Sequence, residues 1–332
     1  MLLEPMPDFP AVAAPVDHPS PSLRPEIRVL LAAPRGFCAG VRRAIDAVRD
    51  ALNKHGAPIY VRRAIVHNLD VVKALEAEGA VFVQELDEVP SGSVVIFSAH
   101  GVSPEIAASA GRLNLKSYDA VCPLVAKVHR EAERHHREGR QLILIGHRGH
   151  PEIEGTLGHV PAGAAHVVNS VSEVGELELE DDTPTAYAIQ TTYSVDDAHD
   201  IVEALRDRFA DLVGPASSDI CYATTNRQLA IREVAIQADA VIVVGEDFSS
   251  NACRLAEVAR GLCPKVQLVA GPQEIDWTEL PASGAIGITA AASTPETAVQ
   301  SVIDAIAIRY RIILEELESL RESTVFKRLA LS

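Results

Sequence analysis

Apolar positions along this chain fall into six short aliphatic runs, at residues 29–33, 94–97, 142–145, 186–189, 241–244 and 285–288, and each run gives way to a loop of small and polar residues. That is how a buried parallel strand reads: continuous Val, Ile and Leu, because both faces are covered, then a turn at its carboxyl end. Between the runs lie stretches with helical spacing, such as 201–209 and 227–238. Strands that alternate with helices predict an α/β fold with mostly parallel sheets. Two junctions per unit, three times over, predict three pseudo-repeated α/β units. They divide as 27–122, 123–218 and 219–305, with a leader at 1–26 before them and a C-terminal helix and tail at 306–332 after them. In such sheets ligands bind beyond the carboxyl ends of the strands. Three units facing one another would bring all the polar loops together.

Composition narrows the class. Of the 332 residues, 47% are hydrophobic and 4% aromatic, so the core is built from Ala, Val, Leu and Ile. The 46 acidic residues against 30 basic ones give a net charge of −16. This argues against a nucleic-acid or anionic-membrane surface and leaves any anionic substrate to be bound locally. The leader carries Pro5, Pro7, Pro10, Pro15, Pro19, Pro21 and Pro25 without a basic start and apolar core, so it reads as a disordered segment and not as a signal peptide. No apolar stretch approaches the ~18 residues of a membrane span. Five cysteines without paired spacing fit a reducing, cytoplasmic setting.

The candidate chemistry sits in the loops. Cys38, Cys122 and Cys221 are far apart in the chain and each stands where a helical pattern begins, with Pro123 suited to the first helical position. A helix N-terminus favours thiolate over thiol. No CxxC pair is present, which excludes local zinc spacing. Three thiolates from three segments would hold an iron–sulfur cluster one ligand short of four; the alternative is three small buried apolar residues. Cys253 and Cys263 look like free thiols. His150 and Glu152 stand two residues apart in a Gly-flanked loop, an arrangement suited to proton delivery, with Thr191 from the next strand end as hydroxyl partner; a solvated carboxylate is the plainer alternative for Glu152. His67, His100, His150, Ser249, Ser250, Asn251 and Ser293 supply donors that can hold a diphosphate without a P-loop. Asp196-Asp197-Ala-His-Asp200 spells DDxxD, but with Ser194 before it this reads as a helix cap with acidic residues in the first turn.

Taken in order, Pro34-Arg-Gly-Phe-Cys38-Ala-Gly40, Ser98-Ala-His100-Gly101, Cys122-Pro-Leu-Val, His150-Pro-Glu152-Ile-Glu-Gly155-Thr, Gln190-Thr191-Thr192 and Cys221-Tyr-Ala-Thr-Thr-Asn-Arg-Gln228 closely resemble the LytB/IspH family of 4-hydroxy-3-methylbut-2-enyl diphosphate reductases, from about residue 27 to about 300. The resemblance implies a trefoil of three α/β units around a central [4Fe-4S] cluster with an open iron site, ligated by Cys38, Cys122 and Cys221. It implies reductive loss of the allylic hydroxyl, giving isopentenyl and dimethylallyl diphosphates, the last step of the methylerythritol phosphate route to isoprenoid precursors. It further implies Glu152 as proton donor, Thr191 as its partner, the His, Ser and Asn residues above on the diphosphate, and a ferredoxin or flavodoxin as electron donor. The departures from the family pattern are Phe248, Ala252, Cys253 and Ala291; a methyl at Ala291 is expected to narrow its loop or shift its backbone. The altered loop from Phe248 to Cys253 is the sole support for a second reading, a non-catalytic paralogue that keeps the cluster as a redox or iron sensor and binds a partner through its tail. A cluster-dependent dehydratase that needs no electron donor is a third.

Overall fold

The computed structural model describes residues 24–331. The leader assigned to 1–26 therefore lies outside the described residues up to residue 23, and the first strand begins at Glu26.

The elements run β1 (Glu26–Ala33), α1 (Ala39–His55), β2 (Ile59–Arg62), α2 (Leu69–Glu78), β3 (Ala80–Val83), β4 (Val94–Phe97), α3 (Pro104–Arg112) and β5 (Lys116–Asp119). They continue with α4 (Pro123–Arg137), β6 (Gln141–Ile145), α5 (Pro151–Leu157), β7 (Ala165–Val168), α6 (Val171–Gly175), β8 (Thr185–Ile189), α7 (Val195–Arg208) and β9 (Leu212–Val213). The last group is α8 (Tyr222–Ala235), β10 (Ala240–Val244), α9 (Ser250–Arg260), β11 (Val266–Val269), β12 (Ala285–Ala290), α10 (Glu296–Arg309) and β13 (Arg311–Glu318). They form three sheets, ordered β3-β2-β4-β5, β7-β6-β8-β9 and β11-β10-β12-β1-β13. Every ladder is parallel.

All six aliphatic runs are strands, and all lie inside a sheet, not at its edge. Among the edge strands, β5, β7, β11 and β13 mix polar with apolar residues, as in Lys116-Ser-Tyr-Asp119, and β9 is two residues long, so none reads as an aliphatic run; β3, Ala80-Val-Phe-Val83, is as apolar as β4 and was not among the expected strands. The interior strand β2 has only three apolar residues in its run.

Sheet membership departs from the linear division in two places. β1 does not join the sheet formed by residues 59–119; it runs between β12 and β13 in the third sheet. Its composition explains the choice. Ile27, Val29 and Leu31 pack into one core with Val299, Val302 and Ile303 of α10, whereas Leu30 and Ala32 pack on the other face against α8 and α9. A strand apolar on both sides needs a place with both faces covered. The C-terminal region, expected as helix and tail from 306, instead places a strand at 311–318 whose side chains alternate between half-buried and exposed, the pattern of an edge.

Caps fix the helix starts. Ser194 accepts a hydrogen bond from the Asp197 amide, and Asp196 and Asp197 pair with Arg232 and Arg254, so the DDxxD stretch is the first turn of α7. Cys38, Cys122 and Cys221 are the N-cap residues of α1, α4 and α8. One buried charge ties two of these starts together. Arg227 on α8 is 0% exposed and donates to the Gly36 carbonyl at 3.1 and 2.7 Å, to Ala223 O at 3.0 Å and to Glu322 Oε1 at 2.9 Å. It thus joins the third cysteine's helix to the first cysteine's loop and to the C-terminal segment. Replacing it with Met would leave Glu322 and the Gly36 carbonyl without their partner. Arg227→Met is expected to lower stability by about 3 kcal/mol in urea denaturation; a loss below about 1 kcal/mol would show that the tie is dispensable.

Candidate active site

Because all three sheets are parallel, every strand delivers its loop at the same end, and these ends converge on one cavity of about 680 Å³. Cys38, His67, His100, Cys122, His150, Glu152, Thr191, Cys221, Ser249, Ser250, Asn251 and Ser293 all line it. Every site residue singled out from the sequence is therefore brought to one place. Cys253 and Cys263 do not line it.

The sulfurs lie at helix starts. Cys38 Sγ accepts from the Val41 amide at 3.4 Å, and Cys221 Sγ accepts from the Thr224 amide at 3.3 Å with Thr224 Oγ1 3.2 Å away. Gly40 has to be glycine here. A Cβ on it would stand 2.8 Å from Cys122 Sγ and 3.7 Å from Cys38 Sγ, so the space a methyl would fill is the space between two of the sulfurs. Burial, reinforced by the other sulfurs, pushes the Cys122 thiol up to about 12 and the Cys221 thiol up to about 11. No Lys or Arg lines the cavity to hold three thiolates. Among the described residues no three His, Cys, Asp or Glu groups are placed to bind one metal ion. The donor set fits instead a multi-iron cluster, whose thiolates bind different irons and stand apart, and whose positive charge supplies what the cavity lacks.

Beside the cysteines, Glu152 is 2% exposed. Its carboxylate accepts from the Thr191 amide at 2.6 Å and from Thr191 Oγ1 at 2.8 Å. Burial raises its pKa to about 7 against the pull of those two bonds, and Asp219 nearby adds to the rise. Glu152 thus exchanges a proton near neutrality, the range in which general acids work.

At the other side stand three imidazoles. His67 stacks on His100 at 4.2 Å between centroids, and His150 meets both edge-on at 5.4 and 5.8 Å. Burial lowers His67 to about 4 and His150 to about 3, and lowers His100 well below its ordinary value. Around them Ser249 caps α9, Ser293 Oγ donates to His67 O at 2.9 Å, and Asn251 Oδ1 accepts from the Ala292 amide at 2.8 Å. Asn251 Nδ2 is buried without a hydrogen-bond partner. An orphaned donor in a cavity wall calls for an acceptor from the ligand, and the N-terminus of α9 beside it favours an anion.

Sequence reasoning assigned no role to Thr192, Gln190, Thr224 or Asp219. Thr192 lines the cavity, and Gln190 Nε2 donates to Thr192 Oγ1 at 2.8 Å and to Ser250 Oγ at 3.2 Å. Thr224 stands three residues after Cys221, at capping distance, which was the available signal. Asp219, bonded to Lys127 at 3.0 Å and to the Ile189 amide, had none.

The sequence model of the family described as LytB protein matches residues 29–307. The chain belongs to the LytB family. It is 52% identical over 307 residues to the 4-hydroxy-3-methylbut-2-enyl diphosphate reductase of Methylocella silvestris, covering 92% of this chain and 96% of that protein. It is 50% identical over 305 residues to the enzyme of the same name from Paracoccus denitrificans, covering 92% and 96%. Among solved structures it is similar to the E-1-hydroxy-2-methyl-but-2-enyl-4-diphosphate reductase from Plasmodium falciparum, with TM-score 0.87 at 37% identity over 92% of this chain and 96% of that one.

The departures from the LytB pattern can now be placed. Phe248 is 47% exposed, edge-on to His67 at 6.1 Å, and lines a second, outer cavity together with Cys253. The outer cavity shares His67, His150 and Ser250 with the inner one but none of the three cluster-type cysteines. The mouth is therefore on the histidine and serine side, and the thiols are at the deep end. Cys253 Sγ donates to Asp247 O at 2.8 Å. Ala252 is fully buried, and its amide is the one that Ser249 caps. Ala291 sits in a backbone conformation open to any residue. Among the described non-glycine residues only Arg63 and Asn114 have positive φ, and the Ala291 methyl packs beside Gly245, where a second methyl would come within 3.1 Å. Glycine at 245 makes room for alanine at 291.

The lowered histidines predict a proton effect. A bound dianion raises a nearby imidazole's pKa toward or above its ordinary ~6.5, so groups neutral in the free cavity take up protons on binding. Calorimetry of inorganic pyrophosphate binding at pH 6.5, in buffers of different ionisation enthalpy, is expected to show net proton uptake that His67→Asn plus His100→Asn reduces. Zero uptake by the unaltered chain would mean that the imidazoles stay neutral.

Proposed function

We propose that this chain reduces 4-hydroxy-3-methylbut-2-enyl diphosphate at a [4Fe-4S] cluster held by Cys38, Cys122 and Cys221. The allylic carbon–oxygen bond breaks, two electrons and two protons are consumed, water leaves, and isopentenyl and dimethylallyl diphosphates are the products. The observation that carries this reading is the order of groups along one cavity, with three sulfurs at the deep end, the Glu152–Thr191 pair beside them and an anion cradle toward the mouth. The LytB relatives that share about half the sequence carry the name of this reductase.

The cluster would supply electrons and a Lewis-acidic iron at its unligated corner, chemistry that no side chain offers. The chain's own residues do the rest. His67, His100 and His150, with Ser249, Ser250, Ser293 and the free Asn251 Nδ2, hold the diphosphate near the mouth, which leaves the hydroxyl end directed inward to the sulfurs. Glu152 holds the proton. When it is ionised, Thr191 Oγ1 donates to it, as in the structure; when it is protonated, the bond reverses and the threonine hydroxyl is released to donate into the cavity, which passes the proton to the leaving oxygen. Apolar walls from Val41, Val66 and Val125 limit competing water at the reacting carbons. The electrons come from a ferredoxin or flavodoxin-type carrier in the cytoplasm. A placed proton donor of this kind serves an enzyme and has no use in a redox or iron sensor, and a dehydratase would need no electron donor.

The test is anaerobic cluster reconstitution, iron and sulfide counting, and turnover of the allylic diphosphate with a chemical reductant. Loaded protein that consumes no substrate would end the assignment. Glu152→Gln is expected to keep its cluster and lose about 100-fold or more in kcat; unchanged kcat would remove Glu152 from the proton path. Gly40→Ala is expected to bind much less iron, whereas Gly175→Ala, where an added Cβ meets nothing within 4 Å, and Cys253→Ser should bind as much as the parent. Loss of iron in Cys253→Ser would overturn the choice of ligands.

A further inference from the structure

The reductase reading requires two electrons from outside the chain, and the sequence holds no dinucleotide fingerprint with which to take them from a nicotinamide. We propose that a small acidic electron-transfer protein docks on the groove between the first cysteine loop and the C-terminal segment; the inference rests on that reading of the function.

The groove is built by Phe37, Arg42 and Arg43 on one side and Val325, Phe326 and Arg328 on the other. Its wall includes Ala39 and Tyr222, the residues that directly follow Cys38 and Cys221, and the Ala39 amide donates to Tyr222 Oη at 3.2 Å. The groove thus lies one residue away from two of the three proposed ligands. Electron transfer weakens steeply with distance, so a donor has to reach a place of this kind. No residue of this groove lines either the inner cavity or its mouth. A carrier seated here leaves the substrate entrance open.

Charge separates this face from the rest of a chain whose net charge is −16. Arg42 is exposed, lies 5.8 Å from the Phe37 ring centroid, and makes no ion pair among the described residues. Arg43 donates to the carbonyls of Lys327 at 3.0 Å, Ala120 at 3.2 Å and Val121 at 2.9 Å and makes no ion pair among the described residues. Lys327 is exposed and likewise without an ion pair among the described residues. The other charges at hand are paired: Glu322 with Arg227 at 2.9 Å, Arg328 with Asp50 at 3.0 Å and Asp46 at 3.8 Å, and Arg35 with Glu296 and Glu316, so the unpaired charge is that of Arg42, Arg43 and Lys327. At the centre Val325 is 88% exposed. A small apolar centre flanked by Arg42 and Arg43, with the exposed Lys327 next to the groove residues Phe326 and Arg328 in the chain, suits the brief, electrostatically steered encounters of redox partners. On a strongly acidic protein, such a patch also turns an acidic carrier toward the one face from which the cluster is near.

The test compares protein carriers with a reduced dye on reconstituted enzyme. Arg42→Glu with Lys327→Glu is assayed with reduced ferredoxin, with reduced flavodoxin, and with methyl viologen, a small dye that needs no docking surface. The expected result is a rise of about tenfold or more in KM for a protein carrier, with a flattened dependence on salt, and unchanged turnover with the dye. Unchanged KM for both carriers with intact dye-driven turnover overturns the docking site and leaves the reductase reading standing. Absence of dye-driven turnover in the parent enzyme, by contrast, strikes the functional reading itself. Should the charge reversals fail to fold, Arg42→Gln with Lys327→Gln gives the same comparison, with an expected rise of about threefold.

Discussion

Everything in this protein depends on parallel pairing. A parallel sheet sends all its strands in one direction, so every loop that follows a strand emerges at one edge. Three such edges meet, and the chain fills their meeting point with helix starts. Three of those starts have cysteine as the N-cap residue, where Ser, Thr or Asp would cap better, and the sulfurs of Cys38 and Cys221 accept from first-turn amides. A capping sulfur points along the helix axis toward the amides and also faces the shared cavity. Gly40 keeps the space beside two of them open. The same device on α1, α4 and α8 makes the convergence of three sheets a convergence of three thiols.

The electrostatics of the cavity follow from its dryness. Burial opposes charge here, raising Cys122, Cys221 and Glu152 and lowering His67, His100 and His150. No lysine or arginine lines it. On the proposed reading, the charges of this site come from what it binds: a cationic cluster core for the thiolates and an anionic ligand for the imidazoles. An acidic protein would then hold an anion without a basic cluster, because the ligand draws protons onto the histidines. Glu152 stands between the two ends with a pKa near neutrality, so it retains a proton without a permanent charge to solvate.

None of the four residues read from the sequence as departures from the LytB pattern lines the inner cavity. Phe248 and Cys253 face the outer cavity, whereas Ala252 and Ala291 are buried beside Gly245. The acidic surface is interrupted on another face, beside Arg42 and Lys327, next to the loop of Cys38. On the proposed reading, substrate and electrons take separate approaches to one centre, each marked by its own chemistry.

Much of this was legible in the chain. Interior strands announce themselves as aliphatic runs because both their faces are buried, so the α/β class and the loops bearing Cys38, His100, Glu152, Thr191, Ser249 and Ser293 followed from pattern alone. The helix starts at the cysteines were legible too, through Pro123 and the onset of helical spacing. Edge strands such as β5 and β13 were not, since a half-exposed strand mixes polar with apolar residues and loses the signal. Nor could pattern say that β1 leaves its own unit to pair with β12 and β13, because strand partnership is decided by which sheet has an interior place for two apolar faces. The same limit applies to the site. The types and the loop positions of its residues were written in the sequence, but that Asp219 lies near Glu152, that Asn251 keeps one donor free, and that the residues after Cys38 and Cys221 share a groove with the C-terminal segment are long-range contacts. Only the packing of three sheets against one another sets them.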